Sequence, residues 1–80
     1  MPKKYVAYLD GQLAGKRSTV DRTYSHAIVR VDADGSAHAV AWAGRLDLAQ
    51  KQVRERSGWH PGVVYRIATA VLVDRFPKGA

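Results

Sequence analysis

Cysteine is absent from the 80 residues of this chain, and with it go a disulfide framework, a thiolate nucleophile and the usual structural zinc sites. Acidic residues are scarce. Seven Asp and Glu stand against thirteen Lys and Arg, a formal charge of +6 with a pI near 10.1. In so short a chain that excess must show on the surface, so an anionic partner is the natural expectation. Long apolar runs are missing too. The first charge-free run, Tyr5 to Leu9, is five residues, too short for the core of a signal peptide, and nothing approaches the roughly 20 apolar residues of a membrane span. The glycines of GQLAG do not fit the spacing of a phosphate-binding loop, and there are no repeats, low-complexity tracts or linkers. These absences predict a soluble, unprocessed, cytoplasmic protein with no membrane partner and no cofactor.

What is present suffices for one small fold. A hydrophobic content of 46% against 25% charged residues is a globular balance. The chain reads as a single domain over 1–80, burying only about 60 to 65% of its unfolded surface. The clearest element is a β-hairpin within Arg22 to Ala43. Asp32-Ala33-Asp34-Gly35 has the residues of a type I turn, with Gly35 free to take the positive φ of a bulged three-residue loop. That turn pairs Asp32 with Ser36, Val31 with Ala37, Val29 with Ala39 and Ala27 with Ala41, giving one wholly apolar face of small residues. The other face collects Tyr24, His26, Ile28, Arg30, His38, Val40 and Trp42, with His26 opposite Trp42 and Arg30 opposite His38. A two-residue Asp34-Gly35 loop would instead shift the pairing by one and put His26 and His38 on opposite faces.

The flanks are simpler. Lys3 to Leu9 alternates as a strand, Asp10-Gly11 reads as a tight turn, and Gln12 to Ser18 returns as a weak edge strand. Lys16 to Arg22 is polar and basic and reads as the loop leading into the hairpin, with Arg22 at the strand's foot. Arg45 to Ser57 is rich in helix formers, with Leu46, Ala49 and Val53 on one stripe, Asp47 in the first turn and Arg54 and Arg56 in the last. Gly58 stands where a C-cap belongs and Pro61 forbids continuation. Val63 to Val73 is dense in β-branched and aromatic residues and reads as a central strand covered on at least one face, a helix being the weaker alternative. Residues 74–80 form a frayed tail. The predicted fold is α+β: an antiparallel sheet of about five strands, made of two hairpins and a last strand, with one helix laid on the alanine face. The Tyr24, His26 and Trp42 side is then left bare.

No catalytic signature stands out. His26 and His38 lie diagonally on one face, too few ligands for zinc. A nuclease using these two rings as acid and base, with Arg30 steadying the transition state, is chemically sensible but has no carboxylate to orient either ring. Ser25 and His26 are adjacent on a strand and should point to opposite faces. Trp59-His60-Pro61-Gly62 reads as a rigid turn with Trp59 capping the core. Binding has the better case. Lys16, Arg17, Arg22 and Arg30 lie on or beside a face holding Tyr24 and Trp42, flanked by His26 and His38, and single strands are held by such parts. Tyr24, Ile28, Val40 and Trp42 could equally form the true core. A protein interface, or one closing a homodimer, would also look like an apolar patch rimmed by Arg and His.

Arg22-Thr23-Tyr24-Ser25-His26-Ala27 and Ala41-Trp42-Ala43-Gly44-Arg45-Leu46-Asp47-Leu48-Ala49, about a fifth of the chain, resemble stretches of small uncharacterised proteins encoded by actinobacterial bacteriophages. The resemblance implies an accessory protein acting in a bacterial host and supplies no site residues. The expectation drawn from residues and resemblance together is a non-enzymatic binder of nucleic acid or a nucleoprotein complex. The alternative is an inhibitor or regulator that docks on a host protein, such as a component of a defence system.

Overall fold

Asp10 and Gly11 both take positive φ, 52° and 81°, the pair of left-handed residues that a type I′ turn requires. They join the first hairpin of a computed structural model that describes residues 2–77. The elements are β1 (Lys3–Leu9), β2 (Gln12–Thr19), β3 (His26–Val31), β4 (Ala37–Ala43), α1 (Leu46–Trp59) and β5 (Val64–Val73). All pairings are antiparallel, in the order β2-β1-β5-β3-β4. The α+β fold of five strands and one helix is therefore formed, with β5 central and β2 at an edge as its composition predicts.

The second hairpin begins as its turn dictates. Asp32 N–H donates to the Ser36 carbonyl at 2.8 Å, Gly35 N–H donates to the Asp32 carbonyl at 3.0 Å, and Gly35 has φ +88°. Val31 faces Ala37, Arg30 faces His38 and Val29 faces Ala39; then the register slips, so that Ile28 faces Ala41, Ala27 faces Trp42 and His26 faces Ala43. Val40 is the extra residue of a β-bulge. Because side chains alternate with a period of two, one extra residue swaps faces for everything beyond it. The expected pairing of His26 with Trp42 and of Ala27 with Ala41 is thereby overturned.

The slip also moves the helix. Ala49 of α1 is buried against Ile28 and Ala43, with Ala41, Val53, Tyr65 and Ile67 around them. The helix thus covers the Ile28 side of β3, not the Ala27 and Val29 side where we expected it. Small residues still let it come close, but they are Ala41 and Ala43, delivered by the bulge. Leu46, expected on the buried stripe, is 47% exposed. Gly58 does not end the helix: α1 runs through it to Trp59, and His60 is the cap, its N–H donating to the Arg56 carbonyl at 2.9 Å. Pro61 explains the stop, since it drives the residue before it out of the helical region.

The other side of the sheet is lined by Ala7, Ala14, Ala27, Val29 and Ala68. With so little side-chain volume inside, the sheet curls until its edge strands β2 and β4 touch. A Cβ built on Gly15 would lie 2.5 Å from the Ala39 Cβ. The expected frayed tail begins otherwise: Phe76 and Pro77 are half-buried, and the Lys16 ammonium lies 5.3 Å from the centre of the Phe76 ring. The remainder of that tail, 78–80, lies outside the described residues.

The closure generates a prediction. Gly15→Ala overpacks the β2–β4 contact and destabilises by about 1–3 kcal/mol, and Gly15→Ala with Ala39→Gly recovers part of that loss in urea denaturation. An unchanged midpoint for Gly15→Ala would show that the two edges do not touch.

Candidate functional site

Where β4 passes into α1 the chain must clear the loop between β2 and β3. Gly44 permits this, since a Cβ there would meet the Thr23 carbonyl oxygen at 3.1 Å. That loop is pinned from three sides. Lys3 Nζ donates to Thr23 Oγ1 at 3.0 Å, Ser25 N–H donates to the Ala43 carbonyl at 2.9 Å, and Ala70 N–H donates to the Ser25 carbonyl at 2.9 Å. Between the pinned loop and the helix lies a cleft of about 500 Å³, within the range of ligand-binding clefts. The loop supplies Arg22, Thr23 and Tyr24, the end of β4 supplies Trp42, and α1 supplies Leu48, Lys51, Gln52 and Glu55.

The aromatic wall is a row of three rings. Tyr5, 3% exposed, meets Tyr24 edge to face at 5.5 Å, and Tyr24 meets Trp42 at 6.0 Å with a 48° tilt. Such spacings are those of favourable aromatic pairs. The Arg17 guanidinium lies 5.8 Å from the Tyr24 ring centre, within reach of a cation–π attraction. Tyr24 and Trp42 are half-buried, and Trp42 packs on the inner cluster of the sheet. They are at once part of the core and wall of the cleft.

Of the residues singled out from sequence, Arg22, Tyr24 and Trp42 line the cleft, and a fourth, Arg17, lies against the Tyr24 ring. The other four do neither. Lys16 alternates with Arg17 on β2 and turns to the opposite side, beside Phe76. His26 faces the helix side, and Ser25 Oγ lies 2.7 Å from its Nδ1. That contact corrects the expectation that the two side chains diverge: Ser25 precedes the first residue of β3, so strand alternation does not govern it. Arg30 and His38 sit at the turn end of the hairpin. Arg30 Nε is 2.9 Å from Asp32 Oδ1 and His38 Nε2 is 3.9 Å from Asp32 Oδ2. Arg30 stands four residues from His26, roughly 13 Å along the strand, so the two-histidine acid–base pair is not assembled. Among the described residues no group of three or more His, Asp or Glu could hold a metal ion.

Lys51, Gln52 and Glu55 are not among the residues the sequence predicts for the site, because the side of the helix that carries Lys51, Arg54, Glu55 and Arg56 reads only as its outward, charged side. Leu48, Gln52, Glu55 and Trp59 also follow helical spacing, i, i+4, i+7 and i+11, and mark a second face. Comparison with protein-family models, curated proteins and solved structures gives no match.

The turn that holds Arg30 and His38 away from the cleft has its own electrostatic signature. Ser36 donates to Asp34 Oδ1 from its hydroxyl at 2.6 Å and from its N–H at 2.9 Å. These bonds, the hydroxyl first, hold the Asp34 carboxyl below its ordinary value. A lowered carboxylate favours the fold above its unfolded pKa, and the benefit disappears as pH falls through the folded value. Ser36→Ala should raise the Asp34 pKa toward that of a free side chain in an NMR titration. An unmoved pKa would mean the hydroxyl contact is not made in solution.

Proposed function

We propose that the protein binds single-stranded nucleic acid, free or within a nucleoprotein complex, by taking a base into the cleft between the β2–β3 loop and α1. The supporting observation is the pairing of two half-buried rings, Tyr24 and Trp42, with two cations in the lining of the cleft and a third against one of the rings. Arg17 lies over Tyr24, while Arg22 and Lys51 line the cleft. Every base has a face that can stack on an aromatic side chain, and the cations follow the phosphates. The positive excess of the whole chain adds long-range attraction. Glu55 is the one acid in the lining, and its carboxylate can accept a hydrogen bond from the amino group of a base. A role in the cytoplasm of a bacterial host, which the phage-like stretches 22–27 and 41–49 imply, belongs to the same proposal. No helix among the described residues is long and apolar enough to cross a membrane.

Docking on a host protein, as an inhibitor would, is the second reading, favoured by Leu46 and Leu48. They are 47% and 39% exposed, and Leu48 lines the cleft, as suits a partner with an apolar surface. Salt separates the two. Anisotropy of a labelled oligonucleotide should give a log affinity that falls linearly with log salt. Arg17→Ala, Arg22→Ala and Lys51→Ala should each weaken binding and reduce that slope by about one. Arg30→Ala and His38→Ala, remote from the cleft, should leave both unchanged. Binding that ignores salt and these three cations would point to a protein partner instead.

A further inference from the structure

Trp59, the last residue of α1, is 65% exposed, although its composition and the proline that follows predict a ring turned into the core. A tryptophan left in water is the most costly apolar exposure a small domain can carry. It is not isolated. Trp59, Arg56, Gln52 and Glu55 line a second, smaller hollow of about 190 Å³ on one face of α1, and Gln52 and Glu55 also line the first cleft. The two openings therefore share a ridge. Each combines an aromatic ring with a cation: the half-buried Tyr24 and Trp42 with Arg22 and Lys51 on one side, the exposed Trp59 with Arg56 on the other.

Resting on the binding function proposed above, we infer that Trp59 is a second base-stacking subsite, so that a single strand crosses α1 over the Gln52–Glu55 ridge and does not run along the open sheet. Leu48 and Trp59 are eleven residues apart, roughly 16 Å along the helix axis. A mononucleotide cannot span that distance. At the stacked rise of about 3.4 Å per nucleotide it takes about five to do so, so affinity should step up once the strand is long enough to reach both rings. The repeated combination of ring and guanidinium favours a nucleic-acid strand over a protein segment, which would meet a positive rim without needing evenly placed cations.

The test uses fluorescein-labelled oligothymidylates of two and ten nucleotides with the full chain, Trp59→Ala and Trp59→Phe. The decamer should bind the unaltered protein more tightly than the dimer. Trp59→Ala should weaken decamer binding about ten- to hundredfold, the loss expected for one stacked base, and leave dimer binding unchanged. Trp59→Phe, which keeps a ring, should recover most of the decamer affinity. Because the indole is exposed, the melts of both variants should match that of the parent. Equal decamer affinity for parent and Trp59→Ala would overturn the second subsite while leaving the first intact. Failure of the unaltered protein to bind either oligonucleotide would overturn both.

Discussion

Opposite Ile28 and Val29, strand β4 carries Ala39, Val40 and Ala41, three residues where an unbroken ladder would carry two. That bulge at Val40 rotates the end of β4 by one position, with two consequences that the rest of the molecule depends on. Ala41 and Ala43 turn outward beside Ile28, giving α1 a seat shallow enough for Ala49 to bury completely. Trp42 turns inward beside Ala27 and meets Tyr24. Helix seat and aromatic wall thus come from the same extra residue, and the cleft is the space left between them.

Around this bulge the chain is built from small residues. The inner side of the sheet takes an alanine from nearly every strand, and Gly15 and Ala39 let the two edges meet. An interior so thin closes tightly, and at the Tyr5 end three rings occupy it instead of aliphatic side chains. Aromatic residues that complete a core are thereby left with one edge toward the cleft. The proposed binding and the stability of the fold share these side chains, whereas the cations around them make few demands on packing.

Much of this was legible in the sequence, for local reasons. Asp10-Gly11 and Asp32 to Gly35 carry turn chemistry that fixes both hairpins, and the β-branched run after Val63 announces a central strand. The bulge was not legible, because Ala39, Val40 and Ala41 suit either face of a sheet and no glycine marks the irregularity. Once the register slipped, every inference about faces beyond it slipped too, which is why Arg30, His26 and His38 were grouped with Trp42 and are found elsewhere. Gly58 misled for a different reason: a glycine near a helix end is a weaker stop than a proline two residues after the last helical position. Arg17, Arg22, Tyr24 and Trp42 still lie near one another because short-range chemistry, a basic loop beside aromatic strand ends, survives a change of register.

The two rings, Arg22 and the polar face of α1 line one cleft on a strongly basic chain, and the proposed function requires that cleft to meet the ligand. Amide and indole resonances of 15N-labelled protein, followed while decathymidylate is added, report the contact directly. The largest shifts should fall on the Trp42 indole, on Arg22 to Tyr24 and on Lys51 to Glu55, with the Asp32 to His38 turn unmoved. Shifts confined to that turn or to the outer surface of β1 and β5, with the Trp42 indole unchanged, would contradict it.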